Sequence, residues 1–352
     1  AALAALPEDS RKLQQQMLTA IGEGLARSKS SIGQLLAGDK KHKVPDDVKQ
    51  KVTALFDAAG KTATDEDAVE NDRTSAIGIL AYADFAIAAE ILTELITPQT
   101  PTTVQIAAVN ALSVQSDDKV ADVLLEGWRG YVPAVRAAAV EALIRSDART
   151  KRLLHAVSDG EVTSAELARD KKQLLLNHRD DESRAAAKKL FGGEVSSDRG
   201  KIVAEYQAAL ELDGDAARGK KVFEKTCAVC HKAGDVGVQV GPDLASTQNK
   251  TPQDLLVNIL DPNREALPQY TTYSVQTTGG KTLSGIVAGE SANSITLRRA
   301  EGKQDVVLRA EIDILASNGV SLMPEGLEKD LPLQAMADLL AFVRTIQPDK
   351  SE

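Results

Sequence analysis

Cys227-Ala228-Val229-Cys230-His231 is the stretch whose residue types and spacing carry distinctive chemistry. Two thiols three positions apart, with an imidazole directly after them, fit covalent attachment of a c-type haem. Each thiol adds to one vinyl group of the porphyrin, and His231 lies under the ring, where it can bind iron. Cys227 and Cys230 are the only cysteines in the 352 residues, so neither is reserved for another partner. Two other uses of such a pair fit less well. A thioredoxin-like redox pair opens a helix after a strand in a βαβ unit, and that pattern is missing here. A zinc site takes about four ligands, and the chain offers no second cysteine pair.

The elements that must hold this pentapeptide are legible around it. A helix starts near Gly214 and runs to the motif. Gly219, Phe223 and Cys227 fall four apart, so they share one face. Glycine lets a second helix cross closely there, and phenylalanine seals the contact. The expected crossing partner is the last helix, Leu333 to Ile346, with Ala337, Leu340 and Ala341 as an apolar stripe. A sixth ligand for the iron has three methionine candidates, Met17, Met323 and Met336. Met17 belongs to the distant first part of the chain, and Met336 sits on a helix packing face. Met323 sits in the loop Ser321-Leu322-Met323-Pro324-Glu325-Gly326, which can lay a thioether against iron.

Between the histidine and the methionine loop the pattern changes to short β-prone runs. Tyr273 to Thr277, Leu283 to Ala288, Ser294 to Arg298 and Val306 to Arg309 are separated by turn residues. They predict a meander of about four antiparallel strands, inserted at about residues 272–315.

The glycine–aromatic crossing resembles class I cytochromes c. That resemblance implies that Pro242, in Gly241-Pro242-Asp243-Leu244, offers its carbonyl to the ring N–H of His231. Four segments together, Gly219 to His231, Val240 to Leu244, Asn258 to Arg264 and Ser321 to Glu328, resemble the planctomycete/verrucomicrobial-type haem-binding domain over about residues 201–346. The resemblance implies one covalently bound haem c with His231 and Met323 as axial ligands. It also suggests Arg264, with Asn263 and Tyr270, as partners of the haem propionates. A capping role for Asn263 and surface pairing for Arg264 fit those residues equally well.

The first two hundred residues read differently. Leu13, Met17, Ile21 and Leu25 recur at helical spacing after Pro7-Glu8-Asp9-Ser10. Val104 to Leu112 resembles Val135 to Leu143, 31 residues later, with a fainter copy at Asp72 to Leu80 and a more polar one at Ser183 to Leu190. This period predicts a stack of helical pairs and resembles HEAT repeats. Such a stack serves as a docking surface or a spacer. Trp128 and Tyr131 are expected to pack in an inter-repeat turn. His42 reads as a solvated loop residue. His155 and His178 lack partners at metal spacing. Gly192 to Gly200 reads as a linker.

The expected architecture is therefore mainly α. A HEAT-like α-solenoid occupies residues 1–200, and a class I-like cytochrome c domain with a small inserted antiparallel meander occupies 201–352. The net charge of −9, with no basic stripe, argues against a nucleic-acid partner. No apolar run approaches the ~20 residues of a membrane span. Ala1 to Leu6 is too short for a signal peptide and lacks a basic region before it. The expected role is one-electron transfer to or from a redox partner protein, a dehydrogenase being the expected donor, and not catalysis. Covalent haem attachment points to the periplasm. Haem-based catalysis or gas sensing is the alternative, and it requires a displaceable sixth ligand.

Overall fold

The structure is a computed structural model and describes residues 10–27, 31–37, 44–192, 198–264 and 267–347. Ala1 to Leu6, Pro7 to Asp9, His42 and the centre of the Gly192–Gly200 linker lie outside the described residues. Contacts divide the chain into two compact units, Ala1–Glu161 with Ser291–Asn293, and Val162–Glu290 with Ser294–Glu352. No helix among the described residues is long and apolar enough to cross a membrane.

The first unit is helical: α1 (Arg11–Arg27), α2 (Ile32–Ala37), α3 (Asp46–Thr64), α4 (Glu70–Leu80), α5 (Phe85–Glu94), α6 (Thr102–Val114), α7 (Val120–Glu126), α8 (Pro133–Leu143) and α9 (Asp147–Ser158). The helix expected at the start exists, but its buried face differs from the expected stripe. Leu18 is 2% exposed, whereas Leu13 and Ile21 are 47% and 37% exposed. The Tyr82 ring lies directly against Gly22, and this contact turns the Leu18–Gly22 face inward.

Helices α4, α6 and α8 lie side by side, and α3, α5, α7 and α9 pack against or beside them. The two strongest copies bury the same positions: Val104 and Val135, Ala108 and Ala139, Val109 and Val140, Ala111 and Ala142, Leu112 and Leu143. They also bury one polar residue each, Gln105 and Arg136. Each of these satisfies a carbonyl in the turn before its helix, Gln105 to Thr100 at 2.7 Å and Arg136 to Trp128 at 3.2 Å. Arg73 in α4 likewise donates to Ala63 O, in the last turn of α3, at 3.0 Å. Helix C-terminal carbonyls, which have no intrahelical donor, are met by side chains from farther along the chain. Gln115 reaches Ala81 O at 2.9 Å, and Arg149 reaches the carbonyls of Ser113, Gln115 and Asp117. Trp128 and Tyr131 are both buried, edge to face at 6.3 Å, with the Arg136 guanidinium over the indole.

The second unit begins at Val162, whereas the sequence pattern put the boundary at 200. The Thr163 hydroxyl donates to Gly319 O at 3.0 Å, and the Ser317 hydroxyl donates to the buried Glu166 carboxylate at 2.6 Å. These bonds fasten residues 163–166 to a strand of the same unit. Helices α10 (Arg169–Leu176) and α11 (Asp181–Phe191) pack on each other. The polar repeat copy in α11 buries Ser183 and Ala187 but not the full repeat pattern.

The remainder contains α12 (Asp198–Glu205), α13 (Ala216–Thr226), the two-residue strands β1 (Lys232–Ala233) and β2 (Val236–Gly237), and α14 (Pro252–Leu260). Strands β3 (Thr271–Thr277), β4 (Thr282–Glu290), β5 (Ser294–Arg298), β6 (Gln304–Leu308) and β7 (Ile312–Ser321) follow, and α15 (Leu333–Val343) closes the unit. The sheet runs β6-β5-β4-β3-β7, antiparallel throughout. It has five strands, one more than the β-prone runs predict. The additional strand, β7, is the longest, and it leads straight into the Met323 loop. Asp313, Ser317, Asn318 and Gly319 dilute its alternation, so pairing with β3 decides its state rather than local pattern.

Helices α13 and α15 cross as expected. A Cβ at Gly219 would overlap the Asp338 carbonyl oxygen and reach Phe342 Cβ at 2.8 Å. The Phe223 and Phe342 rings pack at 5.5 Å. Met336, Leu339, Leu340 and Val343 of α15 join Phe223, Leu256 and Leu260 in one core.

Candidate haem-attachment site

Helix α13 starts because Asp215 caps it, accepting the N–H of Arg218 at 2.8 Å. It ends at the motif in a tight turn. The N–H groups of Cys227 and Ala228 both donate to Phe223 O, at 2.8 and 2.9 Å. Those of Cys230 and His231 both donate to Cys227 O, at 3.0 and 2.9 Å. Both thiols at this turn are free and partly buried. Burial pushes the Cys227 thiol up to about 11, with the Cys230 thiol adding to the effect, and burial also raises Cys230. Neither has the depressed pKa of a thiol–disulfide exchange cysteine. Among the described residues no group of three or more His, Cys, Asp and Glu side chains could hold a metal ion.

His231 is oriented by the loop after β2. Val240 and Gly241 both donate to Cys230 O, at 2.9 and 2.7 Å, which folds the loop back under the ring. Gly241 is required there, since a Cβ would stand 2.7 Å from His231 Cε1. The next residue completes the geometry: His231 Nδ1 lies 2.8 Å from Pro242 O. A carbonyl only accepts, so Nδ1 carries the proton and Nε2 presents a bare lone pair, the form that binds a metal. Burial pulls the His231 pKa below its usual value, against a smaller upward push from the Pro242 bond, and favours the neutral ring.

Met323 is held by its loop. Asn263, just after α14, spans it: Asn263 Oδ1 accepts the Ser321 N–H at 2.8 Å, and Asn263 Nδ2 donates to Glu325 Oε1 at 2.6 Å. Leu322 N–H donates to Tyr270 O at 2.9 Å, and Met323 N–H donates to Ser321 Oγ at 3.2 Å. Further along, Gly326 takes a left-handed φ of 91°. Arg199 pairs with Glu328 at 2.7 Å while also donating to Leu260 O. The Tyr206 hydroxyl lies 2.9 Å from both Glu328 O and Leu331 O. Met323 itself is partly buried. Met336 is fully buried in the core and committed to packing.

Arg264 is exposed, and its backbone N–H caps Asp261 O at 3.2 Å. Asn263 spends its side-chain amide on the methionine loop, so its role is structural. Tyr270 contributes its carbonyl to that loop.

Several positioning residues escape the sequence pattern. Asp338 accepts from Asp215 N–H and from Arg218 Nε, at 2.8 and 2.7 Å, tying the start of α13 to α15. A lone carboxylate in the mostly apolar Leu333–Val343 helix is its one local signal. Arg199 and Tyr206 carry none. The β5–β6 turn docks on the attachment turn, with Glu301 N–H donating to Val229 O at 2.7 Å from a left-handed φ of 63°. Beside it, Arg298 Nη1 donates to Gln239 O at 3.1 Å.

These residues fit a porphyrin: two free thiols, a correctly tautomerised imidazole with a glycine under it, and a fastened methionine loop. No curated protein sequence matches the chain. Residues 214–279, from just before α13 to just past β3, match the family model described as cytochrome c oxidase, cbb3-type, subunit III. That match is to a c-type cytochrome domain and implies a covalently bound haem c with its iron.

Proposed function

We propose that this chain is an electron carrier of the planctomycete/verrucomicrobial type, with one haem c joined to Cys227 and Cys230 and ligated by His231 and Met323. The observation that carries the reading is the 2.8 Å bond from His231 Nδ1 to Pro242 O, which leaves Nε2 free for iron. The haem supplies one-electron Fe(III)/Fe(II) chemistry when bound. The chain's own residues orient the imidazole, fasten the thioether loop and shield the site with α13, α15 and the β5–β6 turn. Both axial positions filled means that no substrate binds at the metal, and the role is transfer rather than catalysis. The helical pairs of the first unit act as a HEAT-like docking or spacer module, the electron donor is a dehydrogenase, and the protein works in the periplasm.

The test is a matured, purified chain. Pyridine haemochrome and mass should report one haem attached. The oxidised spectrum should show the long-wavelength sulfur-to-iron charge-transfer band, and the reduced protein should not bind carbon monoxide at neutral pH. Ready carbon monoxide binding would instead favour gas sensing or haem catalysis. A colourless protein would end the haem reading.

A further inference from the structure

Among the described residues, two buried side-chain polar atoms of the second unit lack a hydrogen-bond partner, Thr271 Oγ1 and Arg298 Nε. A buried donor left without an acceptor is costly, more so when it is charged. The orphan on Arg298 therefore asks for an acceptor. The strand register puts Thr272, Ile286 and Arg298 in one row across β3, β4 and β5, so their side chains share a face. Thr271 precedes that row on its strand, and alternation turns it to the other face.

One bond of its own side chain and one of the following turn bring Arg298 to the attachment site. Its Nη1 is anchored on Gln239 O at 3.1 Å. The next two residues, Val240 and Gly241, bond Cys230 O, and Pro242 follows at the His231 ring. The turn just past Arg298 is fixed to Val229 O through Glu301. Its positive charge also reaches the Tyr270 hydroxyl, opposing part of the upward push that burial gives that phenol. Arg264, by contrast, is exposed, where an ion pair contributes little.

A c-type porphyrin carries two propionate carboxylates besides its iron. Resting on the haem reading above, we propose that Arg298, and not Arg264, is the cation that binds a haem propionate, using the Nε–H that has no protein acceptor. A fixed cation beside the propionates also opposes their negative field at the iron and so favours Fe(II).

The experiment uses the full matured chain as wild type, Arg298→Gln, Arg298→Lys and Arg264→Gln. Haemochrome first confirms one haem in the wild type; its absence would sink the haem reading itself and is distinguished at this step. Redox titration should then show the equilibrium constant for one-electron reduction falling about tenfold in Arg298→Gln, about 59 mV. Arg298→Lys, which keeps the charge, should recover most of it, and Arg264→Gln should stay within twofold of wild type. Resonance Raman propionate bending modes should shift in both Arg298 variants and not in Arg264→Gln. If Arg298→Gln does not mature, the Raman modes of Arg298→Lys decide. Unshifted modes, or a larger effect in Arg264→Gln, would overturn the proposal.

Discussion

The side-chain oxygen of Asn263 accepts the backbone N–H of Ser321 at 2.8 Å, across 58 residues of chain. Its amide nitrogen then grips Glu325, so one side chain brackets Met323 on both sides. A thioether on a loop is a useful axial ligand only if the loop does not wander, and this bracket restrains it.

Asn263→Ala removes both bonds at a cost of about 1–2 kcal/mol in stability. With Met323 as the proposed axial ligand, the haem should stay attached, the sulfur-to-iron charge-transfer band should weaken and carbon monoxide should gain access to the reduced iron. The double variant Asn263→Asp, Glu325→Gln rebuilds both bonds with donor and acceptor exchanged at Glu325, and the band should return. Absorption spectra of the three proteins check this, and an unchanged band in Asn263→Ala would separate Asn263 from the methionine ligand.

Gly219→Ala places a methyl group on the Asp338 carbonyl at the α13–α15 crossing. Overpacking of this kind costs about 1–3 kcal/mol. Thermal unfolding of the holo-protein should show a lowered Tm. An unshifted Tm would mean that the two helices part at no cost.

Asp338 controls an acid-sensitive contribution. Its hydrogen bonds from Arg218, with help from Asp215 and Gln334, hold its carboxyl down at about 2 against a smaller opposing effect of burial. A depressed folded-state pKa stabilises above the unfolded value near 4, and that stability is lost as pH falls toward 2. Arg218 is half exposed, so solvent screening limits the contribution to about 1–2 kcal/mol. Denaturant unfolding at stepped pH should therefore show a shallower acid decline for Asp338→Asn than for the wild type. Parallel declines would remove Asp338 as the cause.

In the first unit, Arg149 donates to three backbone carbonyls at and beyond the end of α6. Arg149→Met keeps the apolar stem and strands those acceptors, with an expected loss of about 2–4 kcal/mol. Urea unfolding followed by the Trp128 fluorescence should register it, since that indole is buried in the same unit. A midpoint within error of wild type would show that water replaces the guanidinium.

Much of the site is legible in the residue order, because its signals are local. The Cys227–His231 spacing, the Gly219–Phe223–Cys227 face, the Ser294–Arg298 strand and the Ser321–Gly326 loop each depend on residues a few positions apart. The 31-residue offset between the α6 and α8 patterns needs nothing more than self-comparison, and the buried positions follow it residue by residue. The stripe of α1 departs from its apolar periodicity because a glycine facing Tyr82, far along the chain, outweighs that pattern.

The residue order alone put two thiols and an imidazole within five positions just past the end of a helix, since that spacing is local. Tertiary structure decided the rest: that Ile312–Ser321 is a strand, that Asn263 and Arg199 hold the methionine loop, and that Arg298 is bonded to Gln239 while Arg264 is exposed. Those outcomes depend on partners 35 to 129 residues distant. Which donor meets which acceptor is settled by where the folded backbone leaves a buried polar group unmet, and no local pattern of residue types encodes that.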